Sequence, residues 1–202
     1  MMKRIWLIVV MCLSMAGIAR AQGMSEWQLS VNYNIGIPLG DFGDFISPGS
    51  FRGGNLEVDY FLNEKFSVGG IIGWNGFYER KNNQTYMFDG GAISGTRYNY
   101  FYALPIMLKA QYFFVDAGQI LPYAGLGVGT VYTEHETYMG FIGFATEKWK
   151  FGLAPELGLH MGLGQSGWAF KVAGRYNAIF YNENNLNTVD YLGVNLGFNY
   201  DF

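Results

Sequence analysis

Ionisable side chains recur in this sequence in pairs an even number of residues apart: Glu57 with Asp59, Glu156 with His160, and Lys171 with Arg175. In an extended strand that spacing points both members of a pair to one face. The tight turn Gly164-Gln165-Ser166-Gly167 lies midway between the last two pairs. A hairpin that sets Gly164 opposite Gly167 also sets Glu156 opposite Arg175 and His160 opposite Lys171, and both cross-strand pairs then share a face. The reading is an interior salt bridge between Glu156 and Arg175, extended by Glu57, Asp59 and Lys109.

Charges so placed have three uses. They can move protons in catalysis, line an ion path, or neutralise one another in an interior that excludes water. Catalysis has little to work with. The two histidines are His135, in a connecting stretch Glu134-His135-Glu136, and His160, and no serine is well placed beside either. A single cysteine, Cys12, excludes a disulfide framework, a paired-thiol redox site and a thiolate zinc site. No catalytic residue, metal or cofactor is assigned. His160 beside Lys171 reads as a satisfied interior residue, and Glu134-His135-Glu136 as solvated charge. The run Gly125-x-Gly127-x-Gly129 has no helix after it, so it reads as a row of interior glycines rather than a nucleotide loop. A formal charge of -3 offers no basic footprint for nucleic acid.

The elements that must position these groups are strands. Eight segments alternate apolar and polar residues with period two, the signature of a strand with two unlike faces. They run from about Trp27 to Ile37, Asn55 to Phe61, Phe66 to Tyr78, Tyr98 to Phe113, Pro122 to Glu134, Lys148 to Leu163, Trp168 to Tyr181 and Val189 to Phe202. On the fourth, Tyr98, Tyr100, Tyr102, Leu104, Ile106, Leu108, Ala110 and Tyr112 form one unbroken row. Charges stay off the apolar rows until strand ends such as Glu134. The opposite rows carry the charges, the asparagines and many of the 29 glycines.

That distribution is inside out. Only 14% of residues are charged, against about 25% in ordinary soluble domains, while 50% are hydrophobic and 18% aromatic. Large aliphatic and aromatic side chains suit a wall facing lipid, and glycines with paired charges suit a narrow interior. Aromatics collect near strand ends (Trp27, Tyr60, Phe66, Tyr78, Tyr98, Tyr112, Trp149, Trp168, Tyr181 and Tyr200), as at membrane interfaces. An open sheet edge would leave unpaired backbone groups in hydrocarbon, so the sheet must close. Connections alternate between short (62–65, 114–121, 164–167) and longer (38–53, 79–97, 135–147, 182–188). The predicted fold is all-β: an eight-stranded antiparallel up-and-down transmembrane barrel with long extracellular loops and short periplasmic turns.

Residues 1–21 read as a signal peptide. Lys3 and Arg4 precede an apolar stretch from Ile5 to Met15, too short to span a bilayer, and Ala19-Arg20-Ala21 forms a small-x-small cleavage site. Cleavage after Ala21 leaves 22–202 as one barrel domain. It removes Cys12 together with Lys3, Arg4 and Arg20, which takes the net charge from -3 to -6.

The last strand carries a motif. Asn195-Leu-Gly197-Phe-Asn-Tyr200-Asp-Phe202 resembles the assembly signal of outer-membrane barrels, at Asn195, Gly197, Tyr200 and Phe202. With Ile37-Pro-Leu-Gly-Asp41-Phe42 and Pro122-Tyr-Ala-Gly-Leu-Gly-Val-Gly129, the whole of 22–202 resembles the small outer-membrane barrels of the OmpX and OmpA-transmembrane-domain type. It is similar to the broad outer membrane protein beta-barrel domain, or porin-like, family of Gram-negative bacteria. The resemblance implies residence in the outer membrane, contact with its lipid and lipopolysaccharide, and delivery by periplasmic chaperones to the barrel assembly machinery. It implies no particular activity.

Three functional readings follow. The first is a non-enzymatic structural or surface-interaction barrel with a filled lumen, meeting an extracellular ligand through its loops. Residues 79–97 are the longest and most apolar of these, with Tyr86, Met87 and Phe88 as contact candidates. The second is a small ion or solute pore gated by the lumen charges Glu57, Asp59, Lys109, Glu156, His160, Lys171 and Arg175. The third, least supported, is a lipid A-modifying enzyme.

Overall fold

The computed structural model describes residues 26–202 apart from 89, 90, 116, 117, 140, 141, 165, 184 and 185. The predicted cleavage residues Ala19 and Ala21 therefore lie outside the described residues. Eight strands follow in chain order, with one short helix after the first. They are β1 (Trp27–Leu39), α1 (Gly40–Phe45), β2 (Ser50–Asn63), β3 (Phe66–Phe88), β4 (Gly91–Phe113), β5 (Ile120–Met139), β6 (Ile142–Gly162), β7 (Trp168–Glu183) and β8 (Leu186–Asp201). Each strand pairs antiparallel with the next, and β8 pairs with β1, so the barrel is closed. At the tight β6–β7 turn, Gly164 and Gly167 both adopt φ of 74°, a left-handed conformation that glycine takes without strain.

The wall has the predicted inverted polarity. Leu108 on β4 is 78% exposed and Leu157 on β6 is 66% exposed, while Glu57, Asp59 and Lys171 are fully buried. Water would penalise such a surface, and hydrocarbon rewards it. On β4 the outward aromatics Tyr102 and Tyr112 are ten positions apart. At about 3.4 Å per residue and a tilt of about 40°, they mark a band about 26 Å tall, the height of a bilayer's apolar belt. The lower girdle pairs Trp27 with Tyr60 at 5.0 Å and Trp168 with Tyr200 at 4.9 Å between ring centres. The upper girdle pairs Trp74 with Tyr102 at 5.2 Å and Tyr132 with Trp149 at 5.4 Å. Tyr181, expected in a girdle, instead faces the interior.

The long connections differ from expectation. β3 and β4 remain paired to Phe88 opposite Gly91, β5 and β6 to Met139 opposite Ile142, and β7 and β8 to Glu183 opposite Leu186. Three of the four expected loops are thus mostly strand. Beyond the bilayer both faces of a strand meet water, so the backbone keeps pairing while the two-residue alternation fades. Tyr86, Met87 and Phe88 form the last three positions of β3, not a loop; their side chains lie outside the described residues.

Among the described residues of the long connections, only 40–49 leave the sheet. They form α1 and then place Phe42 and Ile46, both fully buried, over the upper mouth of the barrel. There they join an apolar cluster with Ile71, Phe77, Phe101, Met107, Tyr181 and Tyr191.

Candidate functional site

Beneath that apolar cluster lies a layer of charge. Three carboxylates, Glu57, Asp59 and Glu156, and three cations, Lys109, Lys171 and Arg175, point inward from β2, β4, β6 and β7, all 4% exposed or less. Inward parity on each strand delivers them, and glycines stand opposite several of them: Gly69 and Gly127 opposite Lys109, Gly125 opposite Glu156, Gly197 opposite Lys171 and Gly193 opposite Arg175.

Glu57 is the hub. It pairs with Lys109, with Lys171 at 2.7 Å and with Arg175 at 2.5 Å. Asp59 takes a second contact from Lys109 at 2.7 Å. Glu156 lies opposite Arg175 in the β6–β7 register and pairs with it at 2.5 Å, and with Lys171 at 3.1 Å. Hydrogen bonds complete the layer. The Tyr123 hydroxyl donates to Glu156 at 2.5 Å, the Asn195 amide donates to Glu156 at 3.3 Å, and the Asn32 amide donates to Glu57 at 3.1 Å. Asn34 and Asn55 both donate to the Asn195 side-chain carbonyl, at 2.7 and 2.9 Å.

The six formal charges sum to zero. Moving an ion out of water costs several kcal/mol, and only close opposite charge with further hydrogen bonds offsets it. A balanced, mutually bonded layer is what a water-poor lumen can hold, and an eight-stranded barrel is just wide enough for side chains to fill it.

His160 lies opposite Lys171 in register, but its ring leaves the ionic layer. Its Nδ1 meets the Asn199 amide at 2.9 Å, and the ring packs edge-on against Tyr123 at 4.7 Å and Phe113 at 5.3 Å. His135 faces inward and meets Phe45 of α1 at 5.0 Å. Glu134 and Glu136, one residue to either side, face outward by strand parity. Among the described residues no three His, Cys, Asp or Glu side chains gather closely enough to hold a metal ion.

The C-terminal motif residues have places in the wall. Asn195 is part of the polar layer. Gly197 lies against β1, where a Cβ would collide with the Val31 carbonyl and the Asn32 side chain. Tyr200 packs between Trp168 and Phe202.

Sequence reasoning missed three things: Glu57 as hub, the tyrosine and asparagine shell, and the plug. Asn32, Asn55 and Asn195 do share the charged parity, which was the available signal. The plug had weaker signals: Phe42, Phe45 and Ile46 stand at i, i+3 and i+4, the spacing of one helix face, and Gly40 takes a left-handed φ of 53° where the chain leaves β1. α1 is tied down by Lys81, whose ammonium donates to the Asp44 and Phe45 carbonyls at 3.3 and 3.2 Å, and by the Arg97 guanidinium 5.4 Å over the Phe45 ring. Phe42 meets Phe77 and Phe101 at 5.1 and 5.0 Å.

Comparison with known proteins supports the same architecture. Neisserial surface protein A superposes with a TM-score of 0.60 at 16% identity, covering 90% of this chain and all of that one. Ail of Yersinia pestis, in a complex with the heparin analogue sucrose octasulfate, gives 0.53 at 16% identity, covering 87% and 97%. OprG of Pseudomonas aeruginosa gives 0.52 at 16% identity, covering 89% and 97%. No curated protein matches the sequence closely. The family model described as the outer membrane protein beta-barrel domain matches residues 6–202, nearly the whole sequence, and the chain belongs to that family.

Proposed function

We propose that the chain is a non-enzymatic, non-conducting outer-membrane barrel that presents its extracellular hairpins to ligands outside the cell. One observation carries the reading: the lumen is occupied by a neutral, mutually paired ionic layer with an apolar plug above it. A permeating ion would have to break pairs of 2.5 to 3.1 Å and displace Phe42 and Ile46. The pore reading asks the same charges to gate a path, and nothing in their geometry leaves a path to gate. Ail, a barrel of the same architecture, is known in complex with a heparin analogue; that precedent favours ligand binding at the outer face here too. Under this reading the protein leaves the inner membrane by cleavage after Ala21, reaches the assembly machinery with periplasmic chaperones, and sits among lipid and lipopolysaccharide. The test is conductance in planar bilayers. Silence from the native barrel, with openings only in a variant that lacks 41–46 and also carries Glu57→Gln, is the expected result. Stable openings of the native barrel that Glu156→Gln abolishes would establish the pore instead.

A further inference from the structure

Above the upper girdle, β3 to β6 continue past the bilayer with an outward face that the closed lumen does not use. A groove of about 390 Å3 crosses it, lined by Tyr98, Tyr100, Tyr102, Tyr138 and Glu136. Register sets Tyr98 opposite Tyr138, Tyr100 opposite Glu136, Tyr102 opposite Glu134, and Glu134 opposite Glu147. Cross-strand glycines leave room for two of the rings against the sheet. A Cβ on Gly143 would come within 2.7 Å of the Tyr138 ring, and one on Gly76 within 3.2 Å of the Tyr102 ring. Tyr100 supports the platform, 4.9 Å from Tyr78 and edge-on to Tyr138 at 6.2 Å.

The faces of tyrosine rings carry the negative part of the ring quadrupole and attract organic cations. The carboxylates strengthen the attraction. Glu134, Glu136 and Glu147 lie close enough to repel one another, and Glu147 accepts the Tyr132 hydroxyl at 2.6 Å. Like charges facing each other across a ladder are destabilising, so an incoming cation relieves the Glu134–Glu147 contact. These carboxylates do not converge on one metal ion. Their spread along two strands suits an elongated cation with several charged groups. The protein already contains one such contact: the Arg80 guanidinium lies 5.7 Å over the Tyr98 ring.

We propose that this groove binds a basic peptide segment, with arginine guanidinium groups resting on Tyr100 and Tyr138 and paired with Glu134 and Glu136. The inference rests on the reading of the extracellular hairpins as a ligand surface, and it names the partner's chemistry. The test uses the full barrel in phosphatidylcholine nanodiscs, titrated calorimetrically with a capped tetra-arginine peptide and with the uncharged tetra-citrulline peptide. Empty nanodiscs supply the baseline, and heat-modifiable migration on a gel checks that each variant is folded. Saturable binding of tetra-arginine alone is expected, weakened at least about tenfold by Tyr100→Ala with Tyr138→Ala and by Glu134→Gln with Glu136→Gln. Tyr100→Phe, which keeps the ring face, should bind as the native barrel does. No saturable binding, equal binding of citrulline, or binding unchanged in both double variants would overturn the proposal. So would displacement by equimolar magnesium, which would point to a metal site. A barrel that stays silent in planar bilayers yet ignores the peptide removes only this partner, not the closed-lumen reading.

Discussion

Replacing Glu57 by glutamine tests the ionic layer at its most connected point. The substitution keeps the side chain's size and deletes one negative charge that meets Lys109, Lys171 and Arg175. It leaves three buried cations facing two carboxylates. Removing one partner of a buried pair typically costs about 3–5 kcal/mol, chiefly because the surviving charge cannot return to water. Three cations share Glu57, so the loss belongs at the upper end of that range. Asp59→Asn removes a carboxylate that meets Lys109 alone, and Lys109 keeps Glu57, so its cost should be well under half as large. The double variant Glu57→Gln with Lys109→Gln restores neutrality and should cost less than the sum of the two single changes, a coupling expected only of groups that interact. The measurement is equilibrium unfolding in urea from phospholipid vesicles, read by tryptophan fluorescence and by heat-modifiable migration. A Glu57→Gln cost under about 1 kcal/mol, the level of an exposed ion pair, would mean that water reaches this layer. The argument for a closed lumen would then fail.

Further outcomes follow from the structure and from the sequence. Gly197→Val should prevent insertion altogether, because its side chain would occupy the space of the Val31 carbonyl and Asn32. Gly174→Ala, with open space around its Cβ, should migrate as the native barrel does, and pulse-labelled membrane fractions would show both results. Leu108→Arg places a cation near the middle of the apolar band and should cost about 2–4 kcal/mol, against about 0–1 kcal/mol for Tyr102→Arg at the interface; equal costs in vesicle unfolding would contradict the assigned belt. Intact mass of the barrel purified from outer membranes should correspond to a chain beginning at Gln22, and any other N-terminus would move the cleavage point away from Ala21.

Much of the fold was legible because bilayer physics writes itself into local sequence. A strand that must show lipid one face and its own interior the other has to alternate, and Tyr98 to Tyr112 keeps its outward apolar row unbroken, although Phe101, Ala103, Pro105 and Met107 interrupt the polar row facing inward. The hairpin partners Glu156 and Arg175 were legible for the same reason, since a short turn ties register to parity. Legibility ended where one of those conditions ended. Beyond the membrane β3 and β4 continue as a ladder from Arg80 opposite Tyr98 to Phe88 opposite Gly91, with no period to announce it. β2 pairs in the wall with β1 and β3, whereas the cationic partners of Glu57 stand on β4 and β7, so no turn arithmetic places Glu57 against them.

The amino-acid order by itself determined the closed antiparallel barrel, which face of each strand meets lipid, and that the buried charges must be paired. Each of these follows from alternation and from the cost of an unpaired backbone or charge in hydrocarbon. Only the tertiary structure decided which charges meet. β2 and β7 are not neighbours in the wall, and Glu57 reaches Lys171 and Arg175 across the lumen because closure and strand tilt bring those levels together. The plug was decided the same way. Phe42 and Ile46 share one face of their own short segment, but they are buried because the barrel mouth offers Phe77 and Phe101, residues remote in the chain that only the closed sheet brings to one place.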